Sequence, residues 1–125
     1  MADTRETMSS LLSIASSGLQ AAQLRLNASA HNVANLNTPG FKDQTVQQQA
    51  VPPTGGVQAR TAQAARPGVA LEAEAVEQIT ASYAFKANAL VLRTAVVPEL
   101  MKSFPGRFVV AVRNRVAARG RHLLA

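Results

Sequence analysis

One pattern constrains this chain more than any other. Small or apolar residues recur at Met8, Leu12, Ala15, Leu19, Ala22, Leu26, Ser29, Val33 and Leu36, in steps that alternate four and three. That is the heptad spacing of a helix with a single seam to bury. Asp3, with Glu6 three residues on, offers a capping box that would start this helix within the first few residues. A helix of about 30 residues is roughly 45 Å long and unstable alone, so the seam requires a partner. Val76, Ile79, Tyr83, Ala87, Leu90, Thr94 and Val97 repeat the same steps further on. This second helix should open just after Pro67-Gly68, with Glu72, Glu74 and Glu77 where the positive end of its dipole favours carboxylates. The expected fold class is all-α: N- and C-terminal helices paired as an elongated antiparallel or coiled-coil hairpin. Leu12, Leu19, Leu26 and Val33 of the first helix, and Ile79, Tyr83 and Leu90 of the second, are expected to bury the paired seams.

Between the helices, residues 43–69 are rich in Gln, Pro, Gly, Thr and Ala and hold almost no large apolar side chain. Such a segment buries too little area to offset its ordering entropy. It reads as a polar, irregular, flexible connector, with a chance of short strand pairing around Val46 or Val57. The organisation is then 1–42, helix and asparagine turn; 43–69, connector; 70–104, second helix; 105–125, basic tail. Pro98 should end or kink the second helix, or open a short further one stopped by Pro105-Gly106.

The first helix runs into "HNVANLNTPGFK", residues 31–42. Pro39 pushes Thr38 out of helical space and Gly40 accepts positive φ, so Thr38-Pro39-Gly40-Phe41 suits a type II turn. Asn35 and Asn37 can bond the carbonyls that a helix end leaves free. Asn32 and Asn35 lie three apart on one face, where carboxamides both donate and accept, a chemistry suited to backbone groups of an adjacent subunit.

Composition removes several function classes. Aromatics are 4% and much of the 47% hydrophobic content is alanine, which favours thin helix-on-helix contacts over a thick core. There is no cysteine, and His31 and His122 stand far apart without an acidic cluster, so no metal site is expected. No nucleophile–base pair is apparent, and Gly55-Gly56 lacks the Lys-Ser/Thr of a phosphate loop, so neither catalysis, a cofactor nor a small-molecule substrate is expected. No apolar run is long enough to span a bilayer, and the start of the chain does not read as a cleaved signal.

The net charge of +6 is local. Residues 1–101 balance Arg5, Arg25, Lys42, Arg60, Arg66, Lys86 and Arg93 against Asp3, Glu6, Asp43, Glu72, Glu74, Glu77 and Glu99. The excess is Lys102, Arg107, Arg113, Arg115, Arg119 and Arg121, with no acid among them. Phosphates or anionic lipid would be attracted to such a tail, and Phe108, Val112, Val116 and Leu123 could line a loose apolar stripe on it. The arginines spread around a helix and no base-stacking series accompanies them, so nucleic acid is disfavoured and the tail reads as a solvated or disordered extension.

The segment "SSGLQAAQLRLNASAHNVANLNTPGFK" resembles the N-terminal signature of the bacterial flagellar rod, hook and hook-associated axial proteins. Ser17, Gly18, Leu19, Asn32, Asn35, Asn37, Thr38, Gly40, Phe41 and Lys42 stand at the matching positions. "LEAEAVEQITASYAFKANALVLRTA" is similar to that family's C-terminal helix, through Tyr83, Phe85, Ala87, Asn88, Thr94 and Ala95. Beyond Ala95 the chain departs from the family pattern, with Pro98 and the arginine-rich end. The small connector looks most like the small proximal rod proteins. The resemblance implies a structural subunit of the basal-body rod in the periplasm. Its partners would be itself, other rod subunits and the flagellar type III export apparatus, with no cleaved signal peptide. Asn32, Asn35, Asn37, Thr38, Pro39, Gly40 and Phe41 would form turn and subunit contacts, with Phe85 and Asn88 in the C-terminal motif. The alternatives are a two-helix coiled-coil adaptor, or a divergent, non-assembling relative whose basic tail binds anionic surfaces.

Overall fold

The computed structural model describes residues 2–104 and 106–123, without the side chains of residues 2, 108, 109, 112 and 121–123. In chain order come helix α1 (Ala2–Ala34), strand β1 (Gln44–Ala50), strand β2 (Val57–Gln63), helix α2 (Leu71–Ser103) and helix α3 (Gly106–Leu123). The chain divides into two units, Met1–Arg93 and Thr94–Ala125. α1 contains no proline and one glycine, so little in it opposes helical propensity. Asp3 sits inside its first turn rather than before it, placing the carboxylate at the positive end of the dipole.

In the first unit α1 and α2 run antiparallel. Gly18 faces Asn88, Arg25 pairs with Glu77, and Ser29 Oγ donates to the Glu74 carbonyl at 3.2 Å. Ala15, Ala22, Ser29 and Asn32 are buried on this same face of α1, and Glu74 and Ala81 are buried on α2. The contact face of α1 is therefore Ala15, Gly18, Ala22, Arg25, Ser29 and Asn32, a heptad rotated from the expected one. Leu12, Leu19, Leu26 and Val33 flank it half-buried. On α2 the correction is larger: Ile79, Tyr83 and Leu90 are 57%, 66% and 62% exposed. Glu74, Glu77 and Ala81 form the inner face because Arg25, Ser29 and Asn32 bond to it. At about 100° per residue, that leaves Ile79 and Tyr83 on nearly the opposite side.

The all-α expectation is overturned by the middle of the chain. β1 and β2 pair antiparallel from Gln44↔Gln63 to Ala50↔Val57, so most of residues 43–69 is an ordered hairpin rather than an irregular connector. Gln44, Val46, Val57 and Ala59 share one face of the ribbon and are half-buried. They lie over the Ser17, Ala21, Leu24 and Ala28 side of α1, where Ala21 and Ala28 are buried. Backbone pairing and this docking supply the order that side-chain area alone does not. At the base of the hairpin, Ala64 N–H donates to Asp43 O at 2.8 Å and Gly68 N–H to Phe41 O at 2.9 Å.

The second unit also departs from expectation. α2 continues through Pro98 to Ser103, although a proline there removes one intrahelical hydrogen bond. The stop assigned to Pro105 lies outside the described residues. The tail is helical as α3, with Arg107, Arg113, Arg115, Val116 and Arg119 exposed. The side chains of Phe108, Val112 and Leu123 lie outside the described residues.

Gly18 permits the helix approach. A Cβ there would lie 2.6 Å from the Asn88 carboxamide carbon, and that carboxamide is held by its bond to Ala84 O at 2.9 Å. Gly18→Ala is expected to destabilise the fold by about 1–3 kcal/mol, read from chemical denaturation. Asn88→Ala in the same chain should restore part of the loss. An unchanged unfolding midpoint in Gly18→Ala would refute the close contact.

Candidate functional site

The asparagine segment is where α1 stops and the hairpin starts, and its polar side chains divide that task. Asn35 N–H reaches back to the His31 and Asn32 carbonyls at 3.2 and 3.1 Å, and its Nδ2 donates to His31 O at 2.9 Å. Its Oδ1 accepts from Thr38 Oγ1 at 3.2 Å, tying the helix end to the turn that follows. That turn is closed by Phe41 N–H to Thr38 O at 3.2 Å, with Gly40 at φ 73°. Thr38, Pro39 and Gly40 are exposed, as is Asn37. The Phe41 ring tilts against His31, centroids 5.4 Å apart.

Asn32 does something different. It is 1% exposed, and its carboxamide bonds both backbone groups of Gln44: Gln44 N–H donates to Oδ1 at 2.7 Å and Nδ2 donates to Gln44 O at 2.9 Å. Nδ2 also donates to Glu74 Oε1 at 2.9 Å. One side chain thus joins α1, β1 and α2. The contact with a neighbouring subunit anticipated for Asn32 is not where its bonds go, because burial leaves the group facing inward. At the far end of the hairpin, Val57 N–H donates to Ser17 Oγ at 3.0 Å, and Ser17 Oγ donates to Ile14 O at 2.7 Å. Gly55 and Gly56, at φ 80° and 94°, lie so near Ile14 and Ser17 that a Cβ would fall 2.9 and 2.8 Å from them.

The electrostatics follow the same layout. Arg25 binds Glu77 in bidentate fashion, Nε to Oε1 at 2.5 Å and Nη2 to Oε2 at 2.9 Å. Hydrogen bonding to Glu77 raises the Arg25 pKa further, so its charge is permanent. Asp43 Oδ1 is buried without a hydrogen-bond partner. Burial first, and the Glu74 carboxylate second, push the Asp43 carboxyl above its ordinary value of 3.8.

The outer face of α2 is apolar. Val76, Ile79 and Tyr83 are exposed in succession, and Lys86 Nζ lies 5.7 Å from the Tyr83 ring centroid. Leu90 is also largely exposed and Phe85 a little over a third exposed, whereas Asn88 is half-buried against Gly18. A groove of about 470 Å³ between α1 and the hairpin is lined by Ser17, Gln20, Ala21, Leu24 and Gln58 among others, and no acid or histidine faces it among the described residues. No cluster of metal-ligating side chains occurs among the described residues, and no described helix is long and apolar enough to cross a membrane. Reading by apolar spacing missed Ser17, Gly18, Arg25, Gln44, Glu74 and Glu77. The heptad of small and polar residues at 15, 18, 22, 25, 29 and 32 was the signal that could have found Gly18 and Arg25.

Residues 12–42 match the model of a family described as flagella basal body rod protein. The match covers α1 from residue 12 onward, the Asn32 anchor and the asparagine turn, and over that segment the chain is similar to the flagellar rod family. That family is structural rather than enzymatic, and its place is the flagellar basal body. A comparison with the curated proteins finds no match. The similarity over 71–95 rests on its residues alone.

Asn32→Ala would leave Gln44 N–H and the Glu74 carboxylate without this partner and is expected to cost about 2–3 kcal/mol. The Gln44 amide should then exchange with solvent markedly faster; unchanged protection would contradict the anchor. Asp43 gives a pH dependence. With its pKa raised in the folded chain, the folded state holds the proton to higher pH than the unfolded one. The resulting stabilisation is full below 3.8 and lost as pH rises through the folded pKa. Asp43→Asn should therefore melt higher than the wild type at neutral pH, the advantage vanishing below pH 3.8. An equal difference at both pH values would rule out a titrating origin.

Proposed function

We propose that this chain is a structural subunit of the flagellar basal-body rod, polymerising through the outer faces of its paired long helices. Its partners are copies of itself and other rod subunits in the periplasm, and it reaches them through the flagellar type III export apparatus. The observation that carries this reading is the pairing of two features. The segment matched to the rod family builds the inner seam, and that seam turns Val76, Ile79 and Tyr83 outward on α2. An apolar stripe of this kind gains most from burial against another helix, and a heptad stripe suits coiled-coil packing. The exposed turn at Asn37, Thr38, Pro39 and Gly40 offers a second, polar contact at the end of α1.

The test combines localisation with a surface variant. Mass spectrometry of purified hook–basal bodies from the native organism should find peptides of this chain enriched. Val76→Ser/Ile79→Ser/Tyr83→Ser should keep the helix content of the free chain, because the three side chains are solvent-facing, yet abolish its incorporation into the rod. Peptides absent from basal bodies, with the protein present in the cell, would refute the rod assignment. Wild-type incorporation of the triple variant would refute the α2 interface.

A further inference from the structure

The second unit carries a charge that the rod reading does not use. On α3, Arg107, Arg113, Arg115 and Arg119 are all exposed, and residues 100–125 contain no Asp or Glu. The nearest acid, Glu99, is paired with Lys102 at 2.7 Å. Among the described residues no ion pair engages an α3 arginine. An uncompensated run of this kind repels itself along the helix, and a surface of opposite charge relieves that repulsion.

The placement of the arginines is informative. At about 100° per residue, Arg113 and Arg119 bound a sector of about 120°, and Val116 stands at its centre. Val116 is 66% exposed, so the sector presents an apolar side chain to solvent with a cation at each border. Arg107 and Arg115 lie on the remaining surface. A helix that lies in a bilayer interface is built this way: low overall hydrophobicity, an apolar sector at the acyl boundary, and cations that reach lipid phosphates beside it. Spanning is excluded, since no described helix is long and apolar enough to cross a membrane.

We infer that α3 is a membrane-surface helix that lies on a bilayer rich in anionic phospholipid, with Val116 toward the acyl chains and Arg113, Arg115 and Arg119 on the lipid phosphates. Duplex nucleic acid fits the same charge less well. It asks for cations along one phosphate-facing stripe and has no use for an exposed valine between two of them. The inference goes beyond the proposed rod function and stands or falls separately, because it involves residues outside the matched segment and outside the α2 stripe.

The experiment is co-sedimentation of the full chain with vesicles of phosphatidylcholine alone, or of phosphatidylcholine and phosphatidylglycerol in equal parts. Binding should occur to the mixed vesicles, weaken with added salt, and be at least about tenfold weaker on phosphatidylcholine. At about fivefold per surface cation, Arg115→Gln/Arg119→Gln should lower partitioning roughly twenty-five-fold, while Arg115→Lys/Arg119→Lys retains it. Val116→Ser should weaken binding with no change in its salt dependence. Circular dichroism of each variant confirms that helix content is kept. Equal binding to both vesicle types would overturn the inference, as would the same loss in the lysine and glutamine variants. Displacement of the chain from vesicles by duplex DNA at equal phosphate concentration would assign α3 to nucleic acid instead.

Discussion

The carboxamide of Asn32 is the point on which the first unit turns. An asparagine offers a donor amine and an acceptor oxygen in one plane, and here they make three bonds to two other elements: both backbone groups of Gln44 on β1, and the Glu74 carboxylate on α2. A primary amide that pairs with a peptide group in this way copies the bonding of a β-ladder. The last buried turn of α1 therefore acts as the first rung for β1. Because the same side chain holds Glu74, the start of α2 is set by the group that sets the start of the hairpin. Aspartate at this position would lack the donor and serine the second atom, while glutamine would carry its amide one methylene too far.

From that fixed point the helices close on small residues. Ala15, Gly18, Ala22 and Ser29 let α2 approach α1, and Arg25 with Glu77 adds a two-pronged, oriented link. Such a seam buries little area per residue, so its specificity comes from fit and from hydrogen bonds more than from hydrophobic gain. The apolar capacity of α2 is left outward. In this chain the inner contact positions the two helices, and the larger apolar side chains remain for what lies outside.

Much of this was legible in the sequence, and the misses have physical causes. The heptad period, the two long helices and the turn at Thr38–Phe41 were read from spacing and from proline and glycine chemistry. The rotation of the seam was not, because a search for large apolar residues passes over Gly18, Arg25, Ser29 and Asn32, whose contribution is proximity and bonding. The hairpin was read only as a chance of strand pairing around Val46 or Val57, within a connector expected to be irregular, for the same reason. Its strands QTVQQQA and VQARTAQ alternate weakly, and their order comes from backbone pairing and from anchors at Asn32 and Ser17 that lie elsewhere in the chain. Of the roles offered for Pro98, an end to the second helix is not what forms, since α2 continues through it. The basic charge and its spread around a helix were legible; that the tail forms a helix rather than a solvated extension required α3 itself.

The two anchors of the hairpin have a consequence for how chains of this design can vary. From Ser17 to Asn32, α1 covers about 22 Å, at 1.5 Å per residue. From Gln44 to Ala50, β1 covers about 20 Å, at roughly 3.4 Å per residue. The two lengths are commensurate, so the ribbon is gauged against the helix like a vernier. Adding a residue pair to the strands would carry Val57 past Ser17 and out of step with the helical repeat. The bend at Pro52, Pro53 and Thr54 lies beyond the last ladder pair. Growth there leaves the gauge untouched, so this bend is a place where the first unit can take extra chain without retuning the rest.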